Sequence, residues 1–208
     1  MKIHLILAVV FAGLLGGCVT VPPKDYSLFQ RSNPLTILVL PPTNESTEVI
    51  APYSVLTTVT QPLSERGYYV IPVMLADHLL KENGLVLPGE MHQAPLDKLR
   101  EVFGADVVLY ITIEQYGSKY QLIASNTFVR ARARLVDARD GTEIWQSRVD
   151  FVAQGQAGLI EALVTQVLNK LIDQAHVAAG FASIQLLTTP GQGLPAGPRH
   201  PEHGKPPL

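Results

Sequence analysis

The chain has 208 residues and a formal net charge of −2, from 16 lysines and arginines against 18 aspartates and glutamates. Charged residues make up 16% of it, below the roughly 25% of an average globular protein. This balance, without a large cluster of basic residues, argues against a nucleic-acid-binding protein. The single cysteine excludes an internal disulfide, and there is no group of cysteines and histidines that would predict a metal site.

The first eighteen residues have the pattern of a secretory signal that ends at a lipid-modified cysteine. Lys2 precedes an apolar run over residues 3–15, which is shorter than the ~20 residues of a transmembrane helix. The sequence Leu15-Gly16-Gly17-Cys18 resembles the lipobox of bacterial lipoproteins. The alternative is an ordinary signal peptide with a chance cysteine or a buried structural cysteine. We predict removal of residues 1–17 and acylation of Cys18.

Composition divides the rest of the chain into three parts. Residues 18–34 contain several prolines and few apolar residues, which predicts an acylated N-terminus and a tether. Residues 35–187 are long enough to form one domain with a sizeable core. Residues 188–208 are rich in proline and glycine and show no apolar period, which predicts an extended or disordered tail.

Strands and helices alternate in the first half of this domain. Residues 35–40 are nearly all apolar and end at two prolines, which predicts a strand buried on both faces. A helix over residues 49–66, disturbed by Pro62 near its end, leads to a second strand at residues 68–71. The next elements are a helix at residues 73–82, an irregular loop at 85–94 and a short helix at 95–103.

Three long strands and a helix follow. A strand over residues 105–116 is expected to turn at Gly117-Ser118-Lys119 into a second strand over residues 120–136. In that second strand, buried and exposed positions should alternate, because a strand has a period of two. The apolar set is Val129, Ala131, Ala133 and Leu135, and the polar set is Arg130, Arg132 and Arg134.

Residues 137–141 give a hairpin signal before a third strand at residues 142–152, and a helix is predicted at residues 157–179. The first strand-helix-strand passage predicts a parallel pair with a right-handed crossover, and the three long strands predict an antiparallel meander. The expected fold is therefore a single α/β (α+β) domain, with a mixed five-stranded sheet and packed helices.

Eight short motifs resemble a known family. They are Pro41–Thr47, Ala51–Ser54, Gly67–Val70, Glu82–Gly84, Glu90–His92, Phe103–Asp106, Leu135–Asp137 and Gly197–Pro201. Together they resemble a domain-of-unknown-function family of Gram-negative lipoproteins. The resemblance implies a fold like the N-terminal domain of TolB, a relation to CsgG-type secretion lipoproteins and a CsgG-like lipoprotein as partner. It also implies the outer membrane, because Val19 rather than an aspartate follows Cys18.

The sequence shows no nucleophile elbow, phosphate-binding glycine loop or zinc-helix motif, so we predict a protein that is not an enzyme and has no cofactor. Glu90 and His92 could form an acid/base pair, or they could belong to a loop that caps a sheet edge. The three arginines indicate either a solvated sheet face with partners such as Asp150 and Glu143, or a surface for an acidic protein or lipid head groups.

The candidate partner or ligand surface combines polar loops with the arginine strand. Its residues are Asn44, Glu45, Tyr53, Glu90, His92, Arg130, Arg132 and Arg134. The expected function is that of a structural or assembly component of a cell-envelope complex, anchored at the outer membrane and facing the periplasm. The alternative is a module that binds peptidoglycan or a small envelope ligand at the loops that end the first two strands.

Overall fold

A computed structural model describes residues 24–120, 125–155 and 174–205. Cys18 and residues 157–173 of the predicted last helix lie outside these ranges. The strands are β1 (Thr36–Val39), β2 (Thr43–Asn44), β3 (Tyr69–Val70), β4 (Val107–Tyr120), β5 (Ser125–Asp137) and β6 (Glu143–Gly155). The helices are α1 (Ser27–Ser32), α2 (Ala51–Thr58), α3 (Thr60–Glu65), α4 (Val73–Glu82), α5 (Pro88–Met91), α6 (Leu96–Phe103) and α7 (Gln174–Thr188).

The strands form one mixed sheet in the order β3-β1-β4-β5-β6, and the two-residue β2 pairs with β4. Strand β1 runs parallel to both β3 and β4, as the strand-helix-strand passage predicted. Strands β4, β5 and β6 are antiparallel neighbours, as predicted for the meander. The predicted α/β fold is confirmed, and the five expected strands are joined by the short β2.

Helix α2 ends earlier than the apolar pattern predicts, and α3 begins after a break at Val59. Pro62 has no N–H to donate to the carbonyl of Thr58, and its ring crowds that carbonyl, so a continuous helix cannot form here. The inward side chains still follow the predicted spacing. Val55, Leu56, Val59 and Leu63 are all buried.

The turn predicted at residues 117–119 is wrong, because β4 continues to Tyr120. Gly117 has a φ of +123° and pairs with Phe128 within the sheet. The hydroxyls of Ser118 and Thr127 are 2.7 Å apart and hydrogen-bonded across the two strands. Cross-strand pairing therefore overrides the local turn signal of glycine and serine. The loop predicted at residues 85–94 likewise contains a helix, α5.

The two sides of the sheet are covered unequally. On the first side, α2 and α7 pack with β1, β4, β5 and β6 in one apolar cluster that includes Trp145. On the second side, α4, α5 and α6 cover β1 and the beginning of β4, with Leu38 and Met91 fully buried. The remainder of the second side, along β4, β5 and β6, carries exposed polar residues.

Residues 24–34 are not part of a tether, contrary to the prediction. Helix α1 places Phe29 in the core, where it is 4% exposed. The Ser32 hydroxyl donates to a carboxylate oxygen of Asp137 at 2.6 Å. A carboxylate oxygen of Asp106 accepts the backbone N–H groups of Leu35 and Thr36. The described domain therefore begins before residue 35, and the prediction of a tether now applies only to residues 18–23.

The Pro/Gly-rich end of the chain is also folded, which corrects the predicted disordered tail and the domain boundary at residue 187. We call residues 193–200 the C-terminal strap. Leu194 is fully buried, and the Tyr68 hydroxyl donates to the Pro195 carbonyl at 2.7 Å. The Gly197 N–H donates to the carbonyl of Arg66 at 2.7 Å. Specific contacts hold this segment, so it needs no apolar period.

Substitution of Gly67 tests how closely the C-terminal strap packs against this residue. Its φ is +83°, and an added Cβ would lie 2.4 Å from the backbone nitrogen of His200. We expect Gly67→Ala to lower the free energy of unfolding by about 2 kcal/mol or more, through backbone strain and the clash. Urea denaturation measures this loss.

Gly84→Ala is the matched control, because Gly84 has a φ of +87° and nothing lies within 4 Å of an added Cβ. Strain alone should lower its free energy of unfolding by about 1 kcal/mol. Equal losses for the two variants would contradict close packing of the C-terminal strap against residue 67.

Candidate functional site

The exposed side of β4, β5 and β6 carries polar side chains whose positions follow from strand register. Tyr110, Arg134 and Gln146 form one row across the three strands, and Thr112, Arg132 and Arg148 form the next. Gln115, Arg130 and Asp150 form a third row. A register shift in β4 places Glu114 as an extra residue between the second and third rows, as in a β-bulge. The arginine face comprises Tyr110, Thr112, Glu114, Gln115, Arg130, Arg132, Arg134, Gln146, Arg148 and Asp150.

The alternation predicted for β5 is confirmed. The four apolar residues predicted to face inward are all buried, namely Val129, Ala131, Ala133 and Leu135. The three arginines between them lie on the opposite side of the strand, as the period of two requires. The sequence therefore defined which residues share this surface.

Three of the four arginines on the arginine face are paired with carboxylates. Arg130 donates to Asp150 at 2.7 Å, which confirms the predicted partner. Arg132 donates to Glu114 at 2.9 Å and to Glu45 at 2.8 Å. Arg148 donates to the other oxygen of Glu114 at 2.6 Å. Glu114 therefore joins two guanidinium groups while its side chain is only 14% exposed.

Arg134 is the exception on the arginine face. Its guanidinium carbon lies 4.2 Å from the centre of the Tyr110 ring, which is a cation–π contact. Within the described ranges, its guanidinium has no carboxylate within 4.0 Å and no hydrogen-bond acceptor. Glu143, the other predicted partner, forms no ion pair with the described arginines. Among the described residues, the guanidinium N–H groups of Arg134 therefore have no protein acceptor.

His92 packs against Tyr110, the residue whose ring contacts the Arg134 guanidinium. Its ring meets Tyr110 edge-on, with centroids 5.2 Å apart, and its Nε2 lies 2.9 Å from the Pro41 carbonyl. Because that carbonyl only accepts hydrogen bonds, Nε2 carries the proton. Burial lowers the pKa of His92, and the nearby charge of Arg134 lowers it further, against the effect of the hydrogen bond to Pro41.

These residues surround an open concavity of 680 Å³. Lys24 enters it from the N-terminal side, where its ammonium donates to the backbone carbonyl of Gln146 and lies 5.1 Å from the Trp145 ring. Burial lowers the pKa of Lys24, although the charge of Glu143 opposes this. The charged lining residues are Lys24, Arg132, Arg134, Glu143 and Arg148.

The structure brings together five of the eight predicted surface residues. These are Glu45, His92, Arg130, Arg132 and Arg134, which meet on or beside the arginine face. Tyr53 lies elsewhere, on α2, where Lys81 is 5.5 Å from its ring. Asn44 stabilises its own loop, because its side-chain oxygen accepts the Ser46 N–H at 3.0 Å.

Glu90 and His92 do not form an acid/base pair. A carboxylate oxygen of Glu90 accepts the backbone N–H groups of Val86 and Leu87 at 3.2 and 3.1 Å, near the start of α5. His92 instead bonds to Pro41. Glu90 therefore caps the start of α5, and His92 connects the end of α5 to the loop after β1. The alternative, a loop that caps a sheet edge, stays a prediction.

Sequence reasoning missed one polar cluster. The Tyr116 hydroxyl donates to Ser54 Oγ at 2.7 Å, and Ser54 Oγ lies 2.6 Å from Nδ1 of His176. Ser54 is only 4% exposed, so this contact joins β4, α2 and α7 rather than presenting a nucleophile to a substrate. The residues are far apart in the chain, and no spacing rule connects them.

The described ranges show no group of three His, Cys, Asp or Glu side chains arranged to hold a metal ion. In the same ranges, no helix combines the length and apolar character needed to cross a membrane.

Glu114 should contribute more to stability than the exposed carboxylates of the arginine face. We expect Glu114→Gln to lower the free energy of unfolding by about 1 kcal/mol, because an amide cannot replace the carboxylate that joins two guanidinium groups, and the arginines that remain are 53% and 67% exposed. Asp150→Asn is the control, since Asp150 is 53% exposed and such pairs contribute less than about 1 kcal/mol. Urea denaturation of both variants measures this, and a larger loss for Asp150→Asn would contradict it.

His92 should make stability depend on pH. Its pKa is lowered in the folded protein, so the unfolded chain binds the proton more readily, and the free energy of unfolding should fall as pH drops from about 7 to 5. His92→Gln should reduce this slope, by an amount that corresponds to at most one proton. Urea denaturation across this pH range measures the slopes, and parallel curves for wild type and His92→Gln would refute the assignment.

The comparisons with known proteins agree on one family. The profile of "Putative lipoprotein GNA1162-like" matches residues 24–199. "Putative lipoprotein NMB1124/NMB1162" from Neisseria meningitidis serogroup B is 39% identical over 190 residues, which cover 87% of this chain and 88% of that protein.

Two solved structures are also similar. The crystal structure of lipoprotein GNA1162 from Neisseria meningitidis is 40% identical, with a TM-score of 0.56, and the match covers 68% of this chain and 100% of that one. The PelC dodecamer from Paraburkholderia phytofirmans is 12% identical, with a TM-score of 0.48, over 81% of this chain and 92% of that one. The family match extends over most of the described domain, including the C-terminal strap up to Arg199. The chain therefore belongs to the GNA1162-like lipoprotein family.

Proposed function

We propose that this lipoprotein is a non-enzymatic component of a cell-envelope assembly, anchored to the outer membrane through acylated Cys18. It binds another envelope protein through the outward side of α7. The observation that carries this proposal is an exposed apolar surface on that helix, described below. The lipobox-like Leu15–Cys18 supports the anchor, and Val19 after the cysteine supports the outer membrane as its location.

Helix α7 is apolar on both sides. Its inward residues are buried against the sheet and α2, namely Ala178, Ala179, Ala182, Leu186 and Leu187. Its outward residues Val177, Phe181 and Ile184 are 45%, 57% and 45% exposed. A helix that is apolar all round is normally buried on all sides. The outward side of α7 therefore has the composition of a surface that another protein covers.

The outward residues of α7 continue onto the neighbouring strand. The Phe181 ring stacks on Phe151 of β6, with centroids 5.9 Å apart and planes inclined by 15°. Val152, the next residue of β6, faces the opposite side of the sheet, because side chains alternate along a strand. We call Phe151, Val177, Phe181 and Ile184 the apolar patch. Contiguous apolar surface of this kind marks protein interaction sites.

Strand β6 adds a second feature beside the apolar patch. It is the last strand in the sheet order of the described chain. Apart from the Gln146 carbonyl, which accepts from Lys24, its outer edge can offer backbone N–H and carbonyl groups to a partner. We take a CsgG-like lipoprotein as the first candidate partner, because the family resemblance implies one.

The polar clusters also support a binding protein rather than an enzyme. Ser54 and His176 are close enough for proton transfer, but Ser54 is buried. The carboxylate of Glu90 is held by backbone N–H groups, and His92 by a backbone carbonyl. Each candidate catalytic side chain therefore already makes a hydrogen bond within the fold.

The second candidate function is binding of peptidoglycan or a small envelope ligand. The observation that favours it is the open concavity of 680 Å³ beside the loop that follows β1. His92, bonded to Pro41 in that loop, lines the concavity together with Thr112 and Gln146. Binding to isolated sacculi that is lost with Thr112→Val and retained with Phe181→Ser would favour this function.

Phe181→Ser tests the apolar patch. We expect it to reduce recovery of a co-expressed CsgG-like lipoprotein from detergent extracts by about tenfold or more, because a central aromatic residue often dominates an interface. Met74→Ser is the matched control, since Met74 is 71% exposed on α4, outside the apolar patch. Quantitative pull-down measures recovery, and urea denaturation verifies that both variants fold. Equal recovery with wild type and Phe181→Ser would contradict the proposed surface.

A further inference from the structure

We propose that the arginine face binds phosphate groups of anionic phospholipids in the bilayer that carries the anchor, with Arg134 as the main contact. This inference rests on the proposed acylation of Cys18. It assigns the two sides of the sheet to different partners. The arginine face lies against the membrane, and the apolar patch, on the other side, stays accessible to a protein.

Arg134 is the arginine of this face that is available to a ligand. The guanidinium groups of Arg130, Arg132 and Arg148 each donate to at least one carboxylate. Within the described residues, that of Arg134 meets only the ring face of Tyr110, at 4.2 Å. Stacking on an aromatic ring leaves the N–H groups around the edge of the guanidinium free. Their planar fork fits two oxygens of one phosphate.

The surroundings of Arg134 suit an anion. Lys24, Arg132 and Arg148 line the same concavity, and Glu143 is the one carboxylate among the described residues that line it. Thr112 adds a neutral donor. Its hydroxyl oxygen accepts from Thr43 Oγ1 at 2.9 Å, so its own hydrogen can point into the concavity. Glu45 and Glu114 compensate Arg132 and Arg148, so the excess positive charge of the concavity comes from Arg134 and Lys24, with a neutral donor close to Arg134.

Chain length places this concavity near the membrane. Lys24, which lines it, is six residues after Cys18. Six residues span at most about 20 Å even when fully extended. If Cys18 carries acyl chains in the bilayer, Lys24 and the part of the concavity beside it lie within about this distance of the head groups. This distance favours lipid phosphate over a soluble anion or an acidic protein as the occupant.

The anchor and the arginine face can be tested together on the acylated protein. Its Cys18 sulfur would be blocked by lipid, so one new cysteine can carry a fluorescent donor. Val152→Cys places the donor on the side of β6 that carries Asp150, outside the lining of the concavity, and Gln185→Cys places it on exposed α7. Vesicles of phosphatidylcholine, with or without phosphatidylglycerol, carry an acceptor dye on a lipid head group. Energy transfer then reports which side of the domain lies closer to the bilayer.

We expect more energy transfer from the Val152→Cys donor than from the Gln185→Cys donor, with a further gain when phosphatidylglycerol is present. Adding Arg134→Gln should reduce this gain about fivefold, the change in binding expected for one cation near an anionic membrane. Arg130→Gln is the matched control, because Arg130 lies on the same strand and is already paired with Asp150. It should reduce the gain less.

Several outcomes would overturn the proposal. Equal transfer from both donors, or a gain that is insensitive to Arg134→Gln, would contradict a lipid-facing arginine face. If inorganic phosphate abolishes the gain at constant ionic strength, the site binds soluble phosphate instead. If Arg134→Gln instead impairs recovery of the CsgG-like lipoprotein, the face binds an acidic protein. Protein that does not float with phosphatidylcholine vesicles contradicts the anchor itself, whereas floating protein without the gain contradicts only the lipid contact.

Discussion

Cross-strand pairing of β4, β5 and β6 is the constraint on which the rest of the structure depends. It sets apolar residues such as Ala131 and Leu135 under α7, and it aligns Arg132 and Arg134 with their neighbours on the other side. A shift of one residue would exchange the two sides, because side chains alternate along a strand. The ion pairs of Glu114 with Arg132 and Arg148 fit only the observed register.

Patterns in the sequence predicted the features that depend on residues close together in the chain. These are the alternation in β5, the hairpin at residues 137–141 and the parallel pairing of β1 with β3. The same patterns could not show that residues 24–34 and the C-terminal strap fold onto the domain. Phe29 and Leu194 are single buried side chains without a period, and their partners are distant in the chain. The likeness to TolB implied by the motifs stays a prediction.

The candidate site was predicted only in part, because some of its contacts also join residues that are distant in the chain. Strand period placed three arginines on one surface, but it could not show which of them would lack a carboxylate. That depends on two carboxylates that bond to Arg132. Glu45 comes from the loop after β2, and Glu114 lies at the register shift in β4. The apolar patch was missed because β6 and α7 supply it together, and Phe151 meets Phe181 only in the folded protein.

In the arrangement that we propose, a few residues hold the domain close to a bilayer, with a charged side and an apolar side facing opposite ways. The central claim is the lipid on Cys18, because it supplies the anchor and limits the distance of Lys24 from the bilayer. The most direct test is mass spectrometry of the mature N-terminus, after labelling cells with palmitate. We predict that the chain starts at Cys18, carries acyl chains and incorporates label, and that Cys18→Ala does not. A mature chain that starts at another residue, or that has a free Cys18 thiol, would contradict the claim.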